Sequence, residues 1–484
     1  MRILIHGFGS YACFFYEAIK KSKNKIIDWS IILPTLHYKE QFSTLLGTNK
    51  VYYLFDYYYL YKNNVLDSSY NILNNYNGNI FLDIECDKKT IKHKDSYKQE
   101  DNAVYTYLAY KKVLEIEKPE YIIFPHIESH EGKILFSLAK ELGICPLVVT
   151  HSRMLGGSFF SKEVTEDIPK YSHIDDNNRK KAREILDDFL THDRLAYSYP
   201  IELEKCKGNI DAVFRRNVVE RIWLYFQQTK KEWINQSFDG VRYRILNNLP
   251  MIRNFIWKSR TVFNSRYCHY KKIEDLPKNF IYYPLQYSPE SSINTPAPFF
   301  VDQLRIIDIL RFSMPSNYIL VVKEHPSCIM IRNNNFVKTL MKKAGVKVAY
   351  YGIESKEIIK RAAVTVSVTG TANYEAFLQG HPAIIFGGTF FADALGGICG
   401  INIDEVRKRI SKALKRKITY EERIESIARV VDVSYPFIIG APGDGTIVGD
   451  ITMSETNIIN FLKGLENHIN RIKIYEQKYG GFGL

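Results

Sequence analysis

No stretch of this chain approaches the roughly 18 consecutive apolar residues that a helix needs to cross a membrane, so any membrane association is expected to be peripheral. The opening residues MRILIHGFGSY are apolar only as far as Ile5, before His6, Gly7 and Gly9 interrupt them, and that is too short for a signal-peptide core. Cysteine is sparse: Cys13, Cys86, Cys145, Cys206, Cys268, Cys328 and Cys399 are scattered, odd in number and form no C-x-x-C pair. They read as reduced thiols of a cytoplasmic protein. No internal repeat or low-complexity tract stands out, and no interleaved aromatic and basic motif marks a nucleic-acid binder.

What is there is the make-up of a globular protein, with 45% hydrophobic and 25% charged residues over 484 positions. That length holds two domains, or two with an insertion, at roughly 100–200 residues each. The formal net charge of +13 suits anionic lipid or a substrate carrying phosphates and carboxylates. Arg407, Lys408, Arg409, Lys412, Lys415, Arg416 and Lys417 surround Val406, Ile410, Ala413 and Leu414 at helical spacing. This basic amphipathic helix over 405–417 reads either as a contact with the inner membrane surface or as a solvated helix face.

Short apolar runs followed by helical patterns predict β-α-β units and mostly parallel sheets. Arg2–His6, Glu120–His126 and Leu147–His151 are the strands expected in the first third, with a helix through Ile134, Leu135, Leu138, Ala139 and Leu142 that Gly143 stops. From about Asp167 to Lys272 helical segments take over. Strands resume at Asn279–Pro284, Tyr318–Pro326, Val364–Val368 and Ala383–Gly387, and a last helix starts near Ser454. The tyrosine-rich YYLFDYYYLYKNN has no reading of its own.

Ligands gather beyond the carboxyl ends of parallel strands. There, the second half places Gln286 and Glu290, then Lys323, Glu324, His325 and Pro326, then Thr369, Gly370 and Thr371. The T-G-T opens a short helix whose free N–H groups and dipole suit a phosphate. Gly370 lets backbone approach closely, and the two hydroxyls add donors. If Thr371 caps that helix, Glu375 lies one residue beyond a capping box and is free to accept from vicinal hydroxyls such as those of a ribose. Gly380 ends the helix.

In the first half, Gly7, Gly9 and Ser10 follow the first strand without the third glycine of a dinucleotide fingerprint. They are assigned to the acceptor or sugar, as is Arg153, placed for an anionic group. Glu128, His130 and Glu131 lie between a strand and a helix. Glu131 is the preferred general base, with Glu128 or His130 as fallback, against a plain role complementing the helix dipole. His126 and His130 do not share a helix face as paired ligands would, so no metal is expected.

Two such domains facing a central cleft describe a GT-B-like α/β protein. The expected organisation is a Rossmann-like acceptor domain over 1–165, a helical excursion over 166–275, a Rossmann-like nucleotide-sugar domain over 276–440 and a helical segment over 441–484. At PLQYSPE, VVKEHP and VSVTGTANYEAFLQGHPAIIFG, within Asn279 to Phe391, the chain resembles the bacterial capsule polysaccharide biosynthesis family, which includes Kdo transferases. The resemblance implies a metal-independent, inverting glycosyltransferase with no cofactor, taking a sugar from a CMP-activated donor such as CMP-Kdo to a glycan acceptor. It puts His325 and Pro326 at the nucleotide, Thr369 and Thr371 at the phosphate, Glu375 at the ribose, and His130 and Glu131 on the acceptor side. Asn373, His381 and Ser129 depart from the family's Gly, Lys and Pro. The alternatives are a UDP-sugar or CDP-glycerol enzyme, transferase or epimerase, and a non-catalytic glycan-assembly protein.

Overall fold

Two parallel sheets organise the chain, each with its own core. The computed structural model describes residues 1–9, 11–22, 26–34, 36–63, 76, 78–86, 96–127, 129–154, 156–192, 250–287, 291–440 and 451–479. One unit takes the described residues of Met1–Ile174 and Arg429–Leu484, the other those of Asp175–Lys230 and Arg244–Ala428.

In unit 1, β1 (Arg2–His6), β2 (Asp28–Leu33), β3 (Val51–Tyr53), β4 (Tyr121–Phe124), β5 (Cys145–His151) and β6 (Ser158–Ser161) lie in the order β3-β2-β1-β4-β5-β6. Only the β5–β6 pairing is antiparallel. The strand interiors are mostly apolar because both sheet faces are covered. Ile3, Ile5, Ile31 and Ile123 enter one core and Leu4, Ile32, Ile122 and Phe124 the other, successive residues pointing to opposite faces. The tyrosine-rich stretch supplies β3 and the helix Leu54–Asn63, and buries Tyr52, Tyr53 and Tyr58 in the second core. Helix α1 (Tyr11–Lys21) follows β1, and α2 (His130–Glu141) follows β4. Ser129 caps α2, its hydroxyl accepting the Gly132 N–H at 3.3 Å. The departure from proline at this position therefore supplies a cap.

The described parts of 166–275 include the helices Asp176–His192 and Pro250–Arg266. In unit 2, β7 (Phe280–Pro284), β8 (Ile319–Lys323), β9 (Val346–Ala349), β10 (Val364–Ser367) and β11 (Ala383–Ile385) form an all-parallel sheet ordered β11-β10-β7-β8-β9. Around it lie α3 (Gln303–Ser313), α4 (Ser355–Arg361), α5 (Thr371–Leu378) and α6 (Ile403–Ala413). Helix α5 stops in a Schellman motif: His381 N–H donates to the Ala376 carbonyl at 2.8 Å and Gly380 N–H to Phe377 at 2.9 Å. That turn needs the left-handed φ of 86° that Gly380 adopts.

Helix α6 corrects the membrane reading of 405–417. Val406, Ile410 and Ala413 lie in the same buried cluster as Ile306, Ile307 and Leu310 of α3. Arg409 and Arg416 donate to the carbonyls of Gly397 and Ala394. The apolar face that would meet a bilayer is covered within the unit. Among the described residues no helix is long and apolar enough to cross a membrane.

Helix α7 (Tyr420–Val433) carries the chain back to unit 1, where α8 (Glu455–Tyr479) closes it. Phe461 of α8 sets its ring edge-on to Phe14 at 5.1 Å and to Phe437 at 5.3 Å. Helix α8 thus adds to the N-terminal core. The fold is α/β and GT-B-like in having two Rossmann-like sheets.

Candidate functional site

Numbered within its own unit, the first sheet runs 3-2-1-4-5-6 and the second 3-2-1-4-5, with the direction of winding reversing beside the first strand of each. The switch points fall between β1 and β4 in unit 1 and between β7 and β10 in unit 2, and ligands of such sheets settle just beyond the carboxyl ends there.

In unit 2 the residues flanking the switch point are Gln286 and Thr369–Thr371. Gln286 is buried, and its amide orientation, assigned from the surrounding donors, lets Oε1 accept the Gly370 N–H at 2.7 Å, the Thr369 N–H at 3.0 Å and the Thr369 hydroxyl at 3.0 Å. Ser367 Oγ accepts the Gly370 N–H as well, at 3.0 Å. A Cβ on Gly370 would sit 3.1 Å from Ser367 Oγ and 3.3 Å from the facing atom of the Gln286 amide. This glycine makes room for protein side chains, where the sequence suggested room for a ligand. It is also the N-cap of α5, with Thr371 exposed at the first helical position, so the expected cap is displaced by one residue.

The β8 end carries Lys323, Glu324, His325 and Pro326. Lys323 is 4% exposed and donates to Ser355 Oγ of α4 at 2.9 Å, while the Tyr282 hydroxyl reaches the same Oγ at 3.3 Å. Burial lowers the Lys323 pKa to about 8, against the pull of Glu324, Glu354 and Glu375. The ammonium keeps most of its charge at pH 7. Glu324 faces protein: Arg332 grips both its oxygens, at 2.8 and 3.0 Å, and the His325 N–H donates to it at 2.9 Å. Burial, then the charges of Lys323 and Arg332, lower the His325 pKa to about 4, so its imidazole is neutral at physiological pH and offers a neutral donor or acceptor. Its ring stands edge-on to Tyr287 at 5.8 Å. Glu375, half-buried one turn into α5, is near enough to act on Lys323 and Tyr282. Glu290 lies outside the described residues.

Sequence reasoning missed Gln303, Arg332 and Ser355. Gln303 had one signal, its place just after the capping Asp302, which accepts the Leu304 N–H at 3.1 Å. Arg332 lies eight positions past Glu324 in a loop, a spacing that announces nothing.

Unit 1 gathers His6, Gly7, His126, His130 and Glu131 at its own switch point. His6 is buried, with its pKa lowered by burial to about 4, and contacts the Tyr110 hydroxyl at 3.5 Å. His130 is 1% exposed along its side chain and places Nδ1 3.5 Å from Glu131 Oε2, whereas Glu131 is 15% exposed. His130 is thus the buried member of the pair and Glu131 the more accessible one. Glu128 and Ser10 lie outside the described residues. Among the described residues no group of three or more His, Cys, Asp or Glu side chains is gathered as a metal set.

The three described acceptor assignments meet different surroundings. Gly7 is buried, and a Cβ there would lie 2.6 Å from Leu33 Cδ2 and 2.8 Å from Ile31 Cδ1. It serves the packing of β1 on β2. Gly7→Ala should lower the unfolding free energy by about 1–3 kcal/mol by overpacking, measured by urea titration, and an unchanged midpoint would show that the contact relaxes freely. Gly9 is exposed, with φ 53° and open space around it. Arg153 already has its anion: Nη2 donates to both oxygens of Glu166, at 2.9 and 2.8 Å, and both residues hold left-handed backbone, with φ 62° and 61°.

Residues 215–437 match the family described as "Capsule polysaccharide biosynthesis protein". No curated protein matches the chain. Among solved structures, KpsC of Thermosulfurimonas dismutans, a beta Kdo 2,4 transferase, is 14% identical, covering 66% of this chain and 82% of its own, with TM-score 0.28. A UDP-GlcNAc 2-epimerase of Methanocaldococcus jannaschii in complex with UDP-GlcNAc and UDP is 14% identical over 89% of this chain and 97% of its own, with TM-score 0.26. The UDP-N-acetylglucosamine 2-epimerase of Rickettsia bellii is 9% identical over 99% and 98%, with TM-score 0.29.

Proposed function

We propose, on the premise that the chain belongs over residues 215–437 to the capsule polysaccharide biosynthesis family, that it is a glycosyltransferase of bacterial surface polysaccharide. It takes a sugar from a CMP-activated donor such as CMP-Kdo and passes it to a glycan or glycolipid acceptor. The observation that carries the reading is that a buried lysine, a neutral histidine and the open start of a helix share the carboxyl edge of the unit 2 sheet, inside the matched segment. Lys323 supplies positive charge, and the N–H groups of Thr371 and Ala372 with the Thr371 hydroxyl supply donors where negative charge grows on the departing phosphate. His325 adds a neutral hydrogen bond, and Glu375 accepts from the ribose hydroxyls. Transfer is a single displacement with inversion, in which Glu131 takes the acceptor hydroxyl's proton. No cofactor besides the donor enters the reading.

Thermal shift with CMP, UDP and CDP tests it. A ligand at 100 times its Kd stabilises the folded state by about 2.7 kcal/mol, so CMP should raise the melting temperature most, and CMP-Kdo with acceptor should release CMP. A larger rise with UDP or CDP would replace the donor by a UDP-sugar or CDP-glycerol. No rise with any of the three would overturn the enzyme reading in favour of a glycan-assembly role.

A further inference from the structure

Gln286 holds the centre of a buried network that ties all three loops of the unit 2 switch point. Its backbone N–H donates to Gln303 Oε1 at 2.7 Å, and its carbonyl accepts from Gln303 Nε2 at 3.0 Å and from Arg332 Nη2 at 3.1 Å. Arg332 in turn holds Glu324 of the β8 loop. The loop bearing Arg332 is itself fixed from the helix Pro250–Arg266: Arg260 donates to the Ile331 carbonyl at 2.7 Å, and Asn264 to the carbonyls of Ile329 at 2.8 Å and Arg332 at 3.2 Å. From this frame the Gln286 side chain reaches across to the β10 loop and accepts the N–H groups of Thr369 and Gly370.

A helix start leaves its first N–H groups without intrahelical partners. Here Gln286 and Ser367 take that of Gly370, and Asn373 N–H turns back to the Gly370 carbonyl at 3.2 Å. Among the described residues no partner takes the N–H groups of Thr371 and Ala372. We propose that Gln286, clamped by Gln303 and Arg332, is a positioning residue that selects these two N–H groups to meet the donor phosphate. The proposal rests on the nucleotide-binding reading above and goes beyond it: Gln286 acts through the loop it braces, and the last helix of the excursion supports the donor site through Arg332.

The test compares a nucleotide with its nucleoside, because a phosphate-positioning role touches only the former. With the full chain, calorimetry with CMP and competition NMR with cytidine are run on the parent protein, Gln286→Met and Gln286→Glu. The methionine variant removes the acceptor. The glutamate variant keeps an acceptor but sets a negative charge beside the phosphate. Both should bind CMP at least tenfold more weakly, glutamate the weaker, with cytidine affinity within about twofold of the parent; these expectations follow from the charge placement. Unchanged CMP affinity in both variants, or parallel losses for CMP and cytidine, would overturn the positioning role. A parent protein that binds neither CMP, UDP nor CDP would instead overturn the functional reading beneath it.

Discussion

Glu131→Gln is expected to lower turnover by about 10²–10⁴-fold, the contribution typical of a positioned proton acceptor, while leaving affinity for the donor nucleotide unchanged. The residue sits in the first turn of α2, where a carboxylate also complements the helix dipole. That lesser role is worth about 0.3–1 kcal/mol of stability and nothing in turnover. The two roles separate cleanly, because glutamine keeps the shape and loses the charge along with the basicity, so that the dipole contribution is read in stability and the base in turnover. Glu131 is the more exposed member of its pair with His130, and it borders Tyr110, whose pKa burial and the Glu131 charge both raise. The nucleotide is assigned to side chains of unit 2, so its affinity should be indifferent to the change. The measurement is steady-state turnover with saturating donor, paired with calorimetry. Turnover within a few-fold of the parent, with a melting point lowered only slightly, would leave Glu131 as a helix-dipole partner and move the base elsewhere.

The strands that sequence reading found are those whose apolar runs halt at chemistry-bearing residues: Arg2–His6 before Gly7, Ile319–Lys323 before Glu324 and His325, Val364–Ser367 before Thr369. Those it missed have a different local character. Asp28–Leu33 opens with a charge and a tryptophan, Val51–Tyr53 is three residues inside a tyrosine-rich tract, Ser158–Ser161 is two phenylalanines between serines, and Val346–Ala349 is broken by Lys347. Each owes its strand state to neighbours in the sheet more than to its own pattern.

The site follows the same division. Residues just past a strand end were legible because the carboxyl edge is fixed by strand direction alone. Arg332, Gln303 and Ser355 were not, because what recruits them is a buried partner reached through folding: Glu324, the Gln286 backbone and Lys323. The basic helix left two readings open for a related reason. Its spacing announces an apolar face truthfully but cannot say that α3 covers it.

The largest stability effect should come from the Arg332–Glu324 pair. Both side chains are about a tenth exposed, at 10% and 11%, so solvent screens them little. Arg332→Met leaves the Glu324 carboxylate buried without its main counterion and strips the Gln286 carbonyl of a donor. Removing one member of such a pair costs about 3–5 kcal/mol, on the order of 10 °C in the melting of a unit this size. Adding Glu324→Leu should restore more than half of the loss, since the stranded charge goes with it. A residue of about 0.5–1.5 kcal/mol should persist for the hydrogen bonds the Gln286 carbonyl and the His325 N–H no longer make. Chemical unfolding of the parent, the single and the double variant measures all three. A single variant within about 1 kcal/mol of the parent, well short of the cost of stranding a buried charge, would show that water or Lys323 satisfies Glu324 in its place. A double variant no better than the single would show that the loss lies in the loop itself, where the helix Pro250–Arg266 grips residues 329–332, and not in the charge.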